Sequence, residues 1–573
     1  MRPSVTLSSA LLILLGTPLL WAIASVATSA LDIQAWQSFF ADPQTPKALG
    51  LTLWTGLGST LLSVSLAAWL LSRTFPSAAW ARLVRVLGPL LAVPHAAFAI
   101  GLAALIAPSG WLLRLVSPWA TGFTSPPAWV STQDPWGLGL IAVLVAKEVP
   151  FLLWAAATQL QRADVAQRLA GELAVARTMS YSLERAWWRV LWPQLWPRLR
   201  WPLLAVLAYS LTVVDVAMVI GPTSPPTLAV LAWQWLLDAD VASNRQGAVA
   251  AWWLAGVLAL ASALLWRACS LKAWRMRWTN GERGRGTLPG QATPKRALRA
   301  AALMLLPGLY AAVMLALAVG SVSGVWAFPT LLPQALTTEA WSAVWGSLGT
   351  VGTTLTLALV SSATALLWSV AWLECAPPRW DALLRRFIYL PLVLPSVLWV
   401  VGVHAMTLRW GVDATWVGLW LAHSLATLPY VLIALSPAYL GFDARYWHIS
   451  ASLGRKRGVF LMQVKWPLLR AALASAAAVG FAVSVAQYLP TLFVGAGRFA
   501  TVTTEAVTLA SGAQRSLTSA YAALQWLLPV LGFGLAAWVS RPRKFATIEH
   551  PRRVQAQVGV ALSAAASRRR NRS

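Results

Sequence analysis

Three ionisable side chains fall inside long apolar runs of this sequence: Lys147 and Glu148, adjacent in 136–160, and Asp215 in 201–221. A charge at bilayer depth costs roughly 2.5–3.5 kcal/mol or more, so such a group faces a cavity or a partner. Adjacent residues on a helix point about 100° apart, which keeps Lys147 and Glu148 from pairing well with each other. One of them meeting Asp215 leaves two readings open: an interhelical ion pair that fixes a bundle, or the lining of a solute path. Near the corresponding places later in the chain stand His423, Gln487 and Tyr488, uncharged or nearly so at neutral pH, so a path would be chemically asymmetric. His95, beside Pro94, and His404 read as packed or hydrogen-bonded helix residues rather than ligands.

A second constellation is a matter of spacing. Ala174–Val175–Ala176, three residues, Ser180, nine residues, Val190, one residue and Trp192–Pro193 parallels His448–Ile449–Ser450, three residues, Gly454, nine residues, Val464, one residue and Trp466–Pro467. Each stretch is amphipathic. Proline at a helix start supplies a fixed φ and no unwanted donor. A turn at the fourth marked position needs tolerance of positive φ, which Gly454 supplies and Ser180 supplies less readily.

Catalytic chemistry finds little support. Cys269 and Cys375 are the only cysteines and the five histidines have no i, i+4 pairing, which gives no disulfide framework and no metal site. The sequence has neither a Gly–x4–Gly–Lys–Ser/Thr phosphate loop nor a dinucleotide fingerprint after a strand-like run. We find no nucleophile or acid–base constellation. Such a chain binds no cofactor of its own.

The elements that carry these residues follow from composition. Of 573 residues, 58% are hydrophobic and 11% charged; a soluble domain averages roughly 25% charged residues. A water-soluble fold is thereby excluded and an all-α polytopic membrane protein expected, with the 36 tryptophans suited to the headgroup level. Twelve runs are long enough to span, near 9–30, 49–72, 86–107, 136–160, 201–221, 246–266, 300–327, 343–373, 387–408, 416–440, 471–494 and 519–540. The first, behind Arg2, has small residues at Ala27, Ser29 and Ala30 and could also be read as a signal peptide. With both termini inside, 38 of the 45 Lys and Arg fall in the cytoplasmic segments, whereas the 18 acidic residues show no such bias. The net +27 is therefore an orientation signal and a contact for anionic lipid headgroups, and no nucleic-acid partner is expected.

The chain also repeats itself. Pro94–x6–Gly101 recurs as Pro395–x6–Gly402, Thr52–Leu–Trp–Thr55 resembles Ser347–Leu–Gly–Thr350, and Gly221 and Thr227 recur as Gly495 and Thr501. Six spans return the chain to its starting side, so the copies are parallel repeats about an axis along the membrane normal. We divide the sequence into a first half 1–266, a basic linker 267–299, a second half 300–540 and a basic tail 541–573. The segments 221–237 and 495–514 follow the fifth span of each half and could cap a path from outside, with Trp233 and Trp235 as interfacial anchors.

The doubled spacing resembles the EAA loop of ABC-type import permeases: Glu–Ala–Ala, three residues, Gly, nine residues, Ile, one residue, Leu–Pro. Both copies depart from it where Ala174 and His448 replace the leading Glu. More of the chain resembles the fused two-half permeases of the thiamine, ferric-iron and YnjC-like type. The likeness rests on Ala146–Lys147–Glu148–Val–Pro150–Phe151, Ile220–Gly–Pro222–Thr–Ser–Pro–Pro226–Thr–Leu228, Ala486–Gln487–Tyr488–Leu–Pro490–Thr–Leu–Phe493 and Thr503–Thr–Glu505–Ala–Val–Thr–Leu–Ala–Ser–Gly512. The resemblance implies the type I importer (MetI-like) fold in a bacterial inner membrane. It implies coupling helices at Ala174–Ala176 and His448–Ser450 that dock on two copies of a separate ABC ATPase, which uses the ATP. A periplasmic or extracellular binding protein would deliver the solute. The thiamine and iron branches disagree on what that solute is. The other functional class is a twelve-span secondary transporter driven by an ion gradient through Glu148 and Asp215.

Overall fold

The computed structural model describes residues 5–75, 78–160, 163–179, 181, 183–270, 296–388, 392, 394–512 and 514–541. Most of the linker 267–299, nearly all of the tail 541–573, and Ser180 lie outside these residues. The described residues are helices and connecting turns, with isolated bridges at Thr223–Pro226 and Ser323–Leu336. The principal helices of the first half are α1 (Val5–Ala27), α2 (Thr45–Thr74), α3 (His95–Ile106), α4 (Leu138–Leu160), α5 (Trp192–Thr212) and α6 (Val241–Ser270). Those of the second are α7 (Arg296–Gly320), α8 (Leu348–Cys375), α9 (Ser396–Arg409), α10 (Trp416–Leu440), α11 (Arg470–Val485) and α12 (Arg515–Ser540).

Among the described residues, nine helices are long and apolar enough to cross a membrane, or ten if Arg457–Leu468 and α11, bent by 76°, form one span. The expectation of twelve uninterrupted spans is corrected at 201–221 and 387–408. In the first, α5 ends at Thr212, Val213 is extended with ψ 134°, and a new helix begins at Asp215. In the second, Pro395 sets the start of a helix of only 14 residues, because its ring cannot continue a preceding turn. Pro94 does the same between the helix Ala78–Leu91 and α3.

The halves repeat their packing: α2 lies on α4 and α5, and α5 on α6, just as α8 lies on α10 and α11, and α11 on α12. Their first helices are exchanged, since α1 packs on α9 and α7 on α3. This exchange accounts for the repeated proline–glycine spacing. A Cβ on Gly402 would lie 2.2 Å from the Ala22 carbonyl oxygen, and one on Gly101 would lie 2.6 Å from Val313 Cγ1. Small residues allow backbones to approach this closely where no hydrophobic force draws helices together.

One sequence match shifts register. Thr52 Oγ1 accepts the Leu228 amide at 2.8 Å, and Thr354 Oγ1 accepts the Val502 amide at 2.9 Å. Thr52 therefore corresponds to Thr354, seven residues beyond Ser347, because small-residue composition alone leaves a helix free to slide by whole turns. Two further backbone devices recur. The Gln133 amide donates to Ile220 and the Ala414 amide to Val494, at 3.1 and 3.0 Å, and both donors have positive φ, 58° and 52°.

Candidate functional site

The two loops with the doubled spacing are built alike. Ala163–Thr178 and Arg445–Ser452 are helices, followed by the short helices Leu183–Ala186 and Arg457–Phe460 and then by π-helical turns, Trp187–Leu191 and Leu461–Lys465. The π turns hold Val190 and Val464 half-buried and run directly into Trp192–Pro193 and Trp466–Pro467, with Pro193 half-buried and Pro467 exposed. Gly454 has φ +69°; its amide donates to Ala451 at 2.9 Å and that of Arg455 to Ser450 at 3.1 Å. That pair of bonds is the Schellman ending of a helix, which requires a left-handed residue. In the first loop the Tyr181 amide makes the matching bond to Ala176 at 3.1 Å; the expected turn residue Ser180 lies outside the described residues.

Exposure also matches position by position. Ala174 and His448 are exposed, Val175 and Ile449 are each 60% exposed, and Ala176 and Ser450 are 6% and 8% exposed. Each loop therefore exposes an aliphatic side chain on a helix anchored by its buried neighbour. Beside the second loop is a hollow lined by Tyr446, Ile449, Leu453, Val459, Phe460 and Val464.

The intramembrane groups cluster along the seam between the halves. Lys147, 2% exposed, donates to the carbonyls of Leu90 at 3.3 Å and Val93 at 2.5 Å. Those carbonyls lie at and beyond the end of the helix that Pro94 terminates, so the ammonium satisfies acceptors that the break exposes. Its charge also lies 5.4 Å from the ring centre of Tyr310 on α7, whose hydroxyl donates to the Ala146 carbonyl at 3.1 Å. Glu148 meets not Lys147 but His95, with Oε1 3.5 Å from Nε2. Asp215 interacts electrostatically with the same histidine, whose ring centre is 4.6 Å from that of Tyr209. Two tyrosines of the second half complete the group: Tyr430 feels Glu148, and Tyr488 feels Asp215 while its hydroxyl contacts Met218 Sδ at 3.7 Å.

The remaining candidates have local partners. His423 is 1% exposed and bonded at both ring nitrogens, to Ser484 and Thr491 hydroxyls at 2.9 Å each, so it ties α10 to α11 and to the helix Leu489–Gly495. Gln487 is half-buried at the break after α11, its carbonyl accepting from the Thr491 hydroxyl at 3.0 Å. The helix Leu228–Leu236, from the segment expected to cap the path, begins with five buried residues. Among the described residues no group of three His, Cys, Asp or Glu could hold a metal.

Comparison with known proteins decides the family. The chain is 35% identical over 535 residues to the inner membrane ABC transporter permease protein YnjC of Escherichia coli (strain K12), covering 93% of this chain and 95% of that one. The chain belongs to the ABC transporter permeases. A thiamine transport system permease protein ThiP, from Brucella suis biovar 1 (strain 1330), is 28% identical over 219 residues, covering 35% of this permease and 38% of that protein. No family model matches the sequence. This likeness to transport permeases does not favour the ion-gradient reading.

Within this permease, the sequence reading missed His95, Tyr209 and Tyr430 as members of the seam cluster. His95 had one available signal: the residue after a helix-breaking proline stands at a helix start, where its side chain is aimed by the break. Tyr209 and Tyr430 had none, because only tertiary packing, within the first half for Tyr209 and between the halves for Tyr430, brings them toward the carboxylates.

Proposed function

We propose that this permease carries a solute inward across a bacterial inner membrane, with both termini cytoplasmic, through the seam between its halves. Two copies of a separate ATP-hydrolysing subunit seat on Val175 and Ile449, one on each loop, and a binding protein outside the membrane delivers the solute. ATP is then consumed by the partner, and this chain contributes the path and no catalysis. The observation that carries this reading is the matched exposure of Ala174–Ala176 and His448–Ser450, since two unconnected loops that merely lie on headgroups have no reason to agree residue by residue.

Coupling follows from the exchanged helices. Because α1 packs on α9 and α7 on α3, each half moves together with the first helix of the other, so rocking one body against the other opens the seam on alternate sides. Glu148, Asp215, His95, Tyr430 and Tyr488 line the boundary that such rocking separates. The test is native mass spectrometry of the complex drawn from its own membranes by a tag on this chain. Two copies of one ATP-hydrolysing subunit per chain are expected; a chain recovered without any such subunit contradicts the reading.

A further inference from the structure

The second coupling loop is fastened to the spans by a charged cluster that is not repeated at the same places of the first. In the second half, Glu374, on the last turn of α8, accepts Arg457 Nη2 at 2.7 Å and Nε at 3.2 Å on Oε1. Its Oε2 accepts Lys465 Nζ at 2.7 Å and the Tyr439 hydroxyl at 2.9 Å. Arg457 also donates to the Glu374 carbonyl at 2.8 Å. Lys465 Nζ lies 3.9 Å from the ring centre of Tyr439, whose hydroxyl accepts from Trp466 Nε1 at 3.3 Å. Arg457 is the third residue after the Gly454 turn and Lys465 closes the π turn before Trp466–Pro467. One carboxylate on a membrane helix thus grips both ends of the segment that follows the coupling helix.

At the repeat-equivalent places of the first half stand Ser72, Leu183 and Leu191. The Ser72 hydroxyl is turned back to the Trp69 carbonyl of its own helix at 2.7 Å. Leu191 lies with Leu71, Phe75, Leu160, Leu169 and Trp187 around a wholly apolar hollow. Apolar burial is non-directional, whereas charge-assisted bonds to both oxygens of a carboxylate fix orientation as well as distance.

We infer that Glu374 is a positioning residue that locks the second coupling helix to α8, making the second loop a rigid lever. The inference rests on the reading of these loops as docking sites. A lever so held transmits the displacement of a docked subunit directly to α8, and through α8 to α10 and α11, which pack on it.

The test uses the full-length chain in lipid nanodiscs and hydrogen exchange of the amides in Arg445–Ser452 and Ala163–Thr178. Glu374→Gln keeps the shape and removes the charge. It is expected to raise exchange of 445–452 about tenfold or more, to leave 163–178 unchanged, and to be largely rescued by Glu374→Asp. No change at 445–452, or an equal rise in both helices, overturns the inference. Lys465→Met, which spares the Arg457 contacts, is expected to act in the same direction and decides the matter if Glu374→Gln does not fold. With the ATP-hydrolysing subunit bound, Glu374→Gln is expected to leave the amount of bound subunit and its KM for ATP unchanged while lowering permease-dependent hydrolysis about tenfold. An equal fall with Ser72→Ala contradicts the special role of Glu374. If the unaltered chain binds no such subunit, the docking reading fails, and the exchange result still decides the role of Glu374.

Discussion

At 187–191 and again at 461–465 the chain makes a π-helical turn before a Trp–Pro pair, and in both halves a threonine of the second span receives the first amide of a short buried helix. Around these shared backbone devices the side chains diverge. Tryptophans 187, 188, 192 and 196 pack edge-to-face or tilted against one another in the first loop, with successive ring centres 4.8–5.7 Å apart, where the second has the ion cluster on Glu374. The carboxylates Glu148 and Asp215 belong to the first half, and the second presents tyrosines to them. The lesson is that duplication preserved what the backbone must do to build a helix break or a turn. It left free whatever fastens or lines those places.

The comparison breaks most easily at the exchanged helices. A Cβ at Gly402 would lie 2.2 Å from a backbone carbonyl, while one at Gly101 would lie 2.6 Å from a valine side chain and 2.9 Å from the nearest backbone carbonyl. Gly402→Val is therefore expected to cost about 3 kcal/mol and Gly101→Val about 2 kcal/mol, read from thermal unfolding in detergent. Equal losses would mean that the two exchanges are not packed differently. Next in size is the turn of the second loop. A Cβ at Gly454 would meet no atom within 4 Å, but Gly454→Val must hold a left-handed backbone at about 1–2 kcal/mol. Membrane insertion should survive while ATP hydrolysis separates from transport, and intact coupling would remove the turn from the mechanism. The smallest effects should be the symmetric ones. Thr52→Val and Thr354→Val each lose one buried acceptor, about 1 kcal/mol apiece, and a large difference between them would show that the shared bond is not equally important in both halves.

Much of this was legible in the sequence, and the reasons are physical. Apolar runs bounded by polar and basic segments report spans because the bilayer tolerates little else. The spacing from Ala174 to Pro193 and from His448 to Pro467 reports a loop because a helix, a left-handed turn and a proline-started helix each need particular residues at particular places. The third and fifth spans were harder. Pro94 and Pro395 announce breaks, but nothing near Val213 does, so 201–221 reads as one continuous run. The pairing of Glu148 with His95 instead of Lys147, and the grip of Glu374 on residues more than eighty positions away, arise from tertiary packing that no local pattern encodes. The match of Thr52 to Ser347 failed because small-residue composition carries no register.

The central claim is that both loops meet the same motor. Its most direct measurement is cross-linking in membranes from cells carrying this permease with Val175→Cys or Ile449→Cys, after Cys269 and Cys375 are replaced by serine. The account predicts that each single cysteine, one per loop, captures the same ATP-hydrolysing subunit, and that ATP alters the yield at both. Capture of no such subunit at either position would contradict it.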